Sequence, residues 1–99
     1  MSISSQTVDN KLTVSISGRF DFSVHREFRA VIDAINTDIK HIFVDLSATE
    51  YVDSSALGML LMLKSKMGDQ KDKVSLINAK PEVKKILDIA NFNQLFSLN

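Results

Sequence analysis

The chain has 99 residues, of which 44% are apolar and 24% charged, the balance of a globular protein of one domain. Twelve basic and twelve acidic side chains cancel, which argues against nucleic acid or an anionic membrane as the main partner. The absence of cysteine excludes disulfides and thiolate metal sites.

Residues 1–99 are read as a single domain with no linker, repeat or low-complexity segment. The start, Met1-Ser-Ile-Ser-Ser-Gln6, has no basic stretch followed by an apolar one, and no apolar run reaches membrane-spanning length. A cytoplasmic protein is expected.

In chain order, Ile3 to Val8 predicts a short strand and Asp9-Asn10 a turn. Leu12-Thr-Val-Ser-Ile-Ser17 alternates strictly, which places Leu12, Val14 and Ile16 on one buried face. Gly18-Arg19-Phe20-Asp21-Phe22 breaks that pattern. Ser23 is suited to cap a helix whose apolar residues are Val24, Phe28, Val31, Ile32 and Ile35; Asn36-Thr37-Asp38 ends it. Ile42-Phe-Val-Asp-Leu46 predicts a strand buried on both faces. A connector, Ser47 to Val52, leads to the next helix.

That helix is the stretch around which the chain is organised. Asp53 precedes Ser54-Ser55-Ala56-Leu57-Gly58-Met59-Leu60-Leu61-Met62-Leu63, rich in helix formers and free of β-branched residues. Asp53 is the expected N-cap, and Ser54 falls in the first turn, where exposed N–H groups and the helix dipole favour an anion. The helical projection puts Ala56, Leu57, Leu60, Leu63 and Met67 on the core side. Ser54, Gly58, Met62 and Ser65 fall on the solvent side with Leu61 at its border, a surface that another protein can approach closely. The plainer alternative is an amphipathic helix whose serines only cap.

Beyond Gly68-Asp69-Gln70, Val74 to Ile77 predicts a strand. Pro81 opens a third helix with Val83, Ile86, Leu87 and Ala90 buried, Asn91 is suited to a left-handed cap, and Leu95 to Leu98 predicts a last strand. The order β-β-α-β-α-β-α-β implies an α/β fold, a mixed, mostly parallel sheet packed with about three helices; the tight first turn makes the opening strand pair antiparallel.

Catalytic groups are sparse. His25 and His41 have no spacing that links them to each other or to carboxylates as metal ligands, and both read as solvated surface residues. The three glycines form no phosphate loop, dinucleotide fingerprint or nucleophile elbow. Ser54 as a nucleophile needs a base, and no histidine is near it in sequence. Asp21, between a strand and a helix, has three roles open to it: a second cap, a hydrogen-bond partner of Ser54, or a solvated loop residue.

With these stretches in hand, the chain resembles the STAS domains of bacterial anti-sigma factor antagonists. The resemblance covers essentially the whole length. It rests on Gly18-Arg-Phe-Asp21, Val44-Asp-Leu46, Tyr51-Val-Asp53-Ser54-Ser55-Ala56-Leu57-Gly58, Pro81-Glu-Val-Lys-Lys-Ile86 and Asn91-Phe-Asn-Gln-Leu-Phe96. It implies that Ser54 is phosphorylated by a serine kinase that is also the anti-sigma factor. Asp21, Asp53 and Ser55 would form the surroundings of that site, and Gly58, Leu61 and Met62 the partner-binding surface. A metal-dependent PP2C-type serine phosphatase would remove the phosphate. The unphosphorylated form would bind the anti-sigma factor and free the sigma factor, with no cofactor and no enzymatic activity of its own. Two departures stand out: Ala56 replaces a glycine frequent in relatives, and many relatives carry a further helix beyond the position of Asn99. The rival readings are a constitutive STAS scaffold, in which Ser54 only caps, and a STAS module that binds a small ligand or anion at the same N–H groups.

Overall fold

The fold is described from a computed structural model covering residues 3–98. Strands β1 (Ile3–Val8) and β2 (Lys11–Ile16) form a hairpin that turns at Asp9, whose φ of 56° is in the left-handed region. Strands β4 (His41–Asp45), β6 (Val74–Ile77) and β7 (Ser97–Leu98) extend the sheet in the order β1-β2-β4-β6-β7. The β1–β2 pair is antiparallel and the other pairs are parallel, as the alternation of strands and helices predicts.

Two further strands stand apart from that sheet. β3 (Gly18–Phe20) pairs in parallel with β5 (Thr49–Val52), with Phe20 opposite Val52. The segments read from sequence as a break and a connector are therefore a ribbon. It is tied to the main sheet by the buried Thr49 hydroxyl, which donates to the Ile16 carbonyl at 2.6 Å. The Gly18 N–H also donates to the Ala48 carbonyl at 2.9 Å. Gly18 turns the chain out of β2 with a φ of +75°, which side-chain-bearing residues rarely adopt.

Helices α1 (His25–Asp33), α2 (Ser54–Lys66) and α3 (Pro81–Ile89) enclose the core; α1 packs against α2, and α3 lies against β5. Val24, Phe28, Ile32 and Ile35 are buried at the expected helical spacing, and Phe28 meets Phe20 of β3 with ring centroids 5.5 Å apart. Ser23 does not cap α1. A 3-10 turn, Phe22–Val24, precedes the helix, and its N-cap is Asp21. After α3, Asn91 takes the left-handed conformation expected of it, and a 3-10 turn, Phe92–Gln94, leads to β7, shorter than the predicted last strand.

The phase of α2 differs from the sequence projection by part of a turn. Ala56, Met59, Leu60 and Leu63 are buried, whereas Leu57 and Met67 are only half-buried. The exposed stripe is Ser54, Gly58, Leu61 and Ser65, and Met62 packs partly against the core. Met59 and Leu57 are equally good helix formers and equally apolar, so composition alone does not choose between them.

Strand β4 is not buried on both faces. Ile42 and Val44 point into the core, while His41, Phe43 and Asp45 lie half-buried on the other face. His41 is accordingly not a free surface histidine. Its ring lies 4.5 Å from that of Phe43, and its Nε2 is 2.9 Å from the Ser75 hydroxyl. Burial lowers its pKa below the ordinary 6.5, an effect that Asp72 opposes and Lys11 and Lys73 reinforce. The unfolded chain then binds a proton that the folded chain resists, so stability is lost as pH falls through 6.5. Melting temperatures measured between about pH 7 and 5 should fall on acidification, with a shallower slope in His41→Gln.

Candidate functional site

Where the β3–β5 ribbon ends, two carboxylates leave side by side. The Asp53 N–H donates to the Phe20 carbonyl at 3.4 Å, so the chain following Phe20, beginning with Asp21, is carried to the start of α2. Asp53 is extended (φ −119°, ψ −173°), and its Oδ1 accepts from the Ala56 N–H at 2.9 Å, as the N-cap expectation required. The Leu57 N–H closes the first helical bond on the Asp53 carbonyl at 3.1 Å. The N–H groups of Ser54 and Ser55 have no acceptor among the described residues. These are the donors that point outward from a helix start, next to the positive end of its dipole.

Ser54 is exposed and Ser55 half-buried. The Ser54 hydroxyl makes no hydrogen bond among the described residues, so it caps nothing. Asp21 proves to be a cap of its own: it accepts from the Ser23 N–H at 3.0 Å and from the Ser23 hydroxyl. These bonds from Ser23, aided by Arg19, hold its carboxyl below the usual carboxylate range. No hydrogen bond joins Asp21 to Ser54 among the described residues.

Three residues to which the sequence reading gave no role join this pole. Arg19 reaches Asp21 through its Nε at 3.3 Å, and its guanidinium lies 4.4 Å from the centre of the Tyr51 ring. The register that sets Arg19 opposite Tyr51 exists only once the ribbon has formed. Phe22, directly after Asp21, is 67% exposed and stacks on His25 with centroids 5.0 Å apart. An apolar residue beside Asp21 was visible in the sequence; its exposure was not.

Of the surface expected to meet a partner, Gly58 and Leu61 are exposed, Leu61 at 42%, and both share the stripe with Ser54. Met62 is the exception, half-buried as the altered phase requires. Nothing lies within 4 Å of the position a Gly58 Cβ would take. Among the described residues, no group of three or more histidines, aspartates or glutamates is placed to hold a metal ion. No helix described is long and apolar enough to cross a membrane.

A mixed sheet of five strands packed with three helices is the architecture of a STAS fold. The family model for the Mlab, STAS domain matches residues 3–98, and the chain belongs to the STAS domain family. A STAS-domain containing protein of Pseudomonas aeruginosa (strain UCBPP-PA14) is 46% identical over 89 residues, 90% of this chain and 88% of that protein. Among solved structures, a proposed anti-sigma factor antagonist from Thermotoga maritima superposes with a TM-score of 0.85 at 19% identity, over 97% of this chain and 84% of the other. The Bacillus cell fate determinant SpoIIAA, solved in its phosphorylated form, gives 0.67 at 13% identity, over 98% and 90%. The likeness in fold to anti-sigma factor antagonists thus spans nearly the whole chain.

The cap is open to a direct test. Asp53→Ala leaves the Ala56 N–H without its acceptor and should cost about 0.5–2 kcal/mol, whereas Asp53→Asn, which keeps a carbonyl oxygen in place, should cost much less. Urea denaturation of the two variants measures the difference.

Proposed function

We propose that the protein is an anti-sigma factor antagonist working as a binding switch. The unphosphorylated form binds a partner that is both anti-sigma factor and serine kinase, and phosphorylation of Ser54 releases it. A PP2C-type serine phosphatase restores the binding form. The observation that carries this reading is the Ser54 hydroxyl: exposed, without a partner among the described residues, at the first position of a helix whose cap is already provided by Asp53. A serine that caps nothing is free to be modified without disturbing the helix.

The energetics favour a switch at the interface over a switch of fold. A phosphate on Ser54 brings about −1.5 to −2 charge beside two N–H groups with no acceptor among the described residues, an attraction of about 0.3–1 kcal/mol at an exposed helix start. Asp53 and Asp21 oppose it, although Asp21 already has Arg19 beside it. Within the free protein these effects largely offset one another. Under a docked partner the dianion must be desolvated, which costs far more. The phosphorylated SpoIIAA structure supports the reading by analogy, since a protein of this fold is found in that state.

Gly58 adds to the argument. Glycine inside a helix costs about 1 kcal/mol relative to alanine, yet no neighbour within the fold requires the missing side chain. A bare patch one turn from Ser54, beside Leu61, suits close approach by another protein.

In a kinase assay with the cognate partner, phosphopeptide mapping should place the modification on Ser54. Ser54→Ala should stay bound in the presence of ATP, and Ser54→Asp should bind at least roughly tenfold more weakly. Modification confined to Ser55, or equal binding by all three proteins, would overturn the switch. Gly58→Ala should raise stability by about 0.5–1 kcal/mol while weakening partner binding, a pair of opposite effects read by calorimetry of unfolding and of association.

A further inference from the structure

We infer that a basic cleft at the pole opposite Ser54 binds a phosphate monoester carrying a small apolar body. The cleft has a volume of about 430 Å³ and is formed by four segments of the chain. Ile35 and Thr37 follow α1, Ile39 and Lys40 precede β4, Lys66 and Met67 end α2, and Lys73 precedes β6. Because β4 and β6 are parallel, Lys40 and Lys73 stand at the same end of the sheet. Ser54 stands at the other, separated by the length of α2, about 20 Å.

The lining joins two kinds of chemistry. Ile35, Ile39 and Met67 belong to the core or pack against it and give the cleft an apolar floor. Lys40, Lys66 and Lys73 supply three ammonium groups, that of Lys40 also donating to the Thr37 carbonyl at 3.1 Å, and among the described residues no aspartate or glutamate lines the cleft. Among the described residues, the one lysine nearby with a carboxylate partner is Lys64, whose Nζ donates to the Asp69 carbonyl at 2.8 Å and lies 3.8 Å from its carboxylate. Asp69 is thereby occupied outside the cleft, and Lys66 and Lys73 make no salt bridge among the described residues.

Lysines at the end of a helix are ordinarily explained by its exposed carbonyls. Here the three carbonyls before that of Lys66 are taken: Leu63 and Lys64 accept from the Met67 N–H, Ser65 accepts from Gly68, and Lys64 also accepts from Asp69. Lys66 is not needed as a cap. A dianion gains more from three lysines than a monoanion does, and lysine binds phosphate as a point charge. A volume of molecular size over an apolar floor suits a soluble organic phosphate better than the headgroup of a lipid held in a bilayer.

The test is an amide NMR titration of the full chain with four probes: phenyl phosphate, inorganic phosphate, benzyl alcohol, and vesicles containing phosphatidic acid. Phenyl phosphate should shift the amides of residues 35–40, 66, 67 and 73 saturably, and bind at least about tenfold more tightly than inorganic phosphate or benzyl alcohol. Lys66→Ala with Lys73→Ala should weaken phenyl phosphate roughly tenfold or more without lowering the melting temperature. Equal weak responses to both phosphates would reduce the cleft to general screening of surface lysines and overturn the proposal. An equal response to benzyl alcohol, binding to vesicles alone, saturable shifts confined to residues 54–57, or no saturable shift at all would overturn it as well. Because the readout does not involve Ser54 or a protein partner, its failure leaves the switch untouched, and the reverse holds.

Discussion

The candidate site depends on the pairing of two very short strands. β3 has three residues and β5 has four, and neither belongs to the main sheet. Such a ribbon would not persist alone in water. It is held by the buried Thr49 hydroxyl on the Ile16 carbonyl, by Gly18 on Ala48, and by Phe20 and Val52 inserted into the core. From that pairing the rest follows: Asp53 is presented in the extended conformation an N-cap needs, Asp21 leaves the same edge, and Arg19 is set against Tyr51. The polar chemistry is thus positioned by backbone register rather than by contacts among the polar groups themselves.

That arrangement leads to an uneven electrostatic pole. Two carboxylates lie close to a helix start that favours negative charge. Each is engaged with backbone donors, Asp53 with Ala56 and Asp21 with Ser23, so both are fixed in place instead of roaming towards Ser54. The N–H groups of Ser54 and Ser55 remain outside this accounting. Fixed acceptors beside unclaimed donors allow the same helix start to tolerate a neutral hydroxyl or, on the proposed switch, a phosphate. Arg19 tempers the repulsion, more strongly at low ionic strength, where its field extends farther.

What the sequence made legible were the features with a period or a named chemical reason. The alternation of Leu12, Val14 and Ile16 marked a strand, the Asp53-Ser54 junction marked a helix start, and Asn91 marked a left-handed cap. The β3–β5 ribbon was not legible, because three or four residues cannot display a period and their pairing is a long-range event. The phase of α2 slipped for a different reason. Leu57, Met59, Leu60, Leu61 and Met62 are all apolar, so the pattern carries little phase information, and packing against α1 and β5 decided it. The setting of His41 was not legible, because an isolated imidazole in sequence gives no sign of Ser75, which lies 34 residues away.

The weak phase of α2 also bears on function. A helix with apolar residues on both its faces is expected to be enclosed over most of its surface. α2 is not: it buries Ala56, Met59, Leu60 and Leu63, yet leaves outward a strip of Ser54, Gly58, Leu61 and Ser65. Three of these four residues are small, so a partner's surface can come close to the helix backbone, and Leu61 offers an apolar contact at the centre. Close approach excludes water, and it is the exclusion of water that turns a change of charge from a small effect into a large one. In the proposed switch, bulky polar side chains on that strip would keep the interface wet and blunt the response to a phosphate. On the proposed switch, the small residues and Ser54 therefore belong to one physical requirement, a surface dry enough for a single phosphate to decide whether it stays covered.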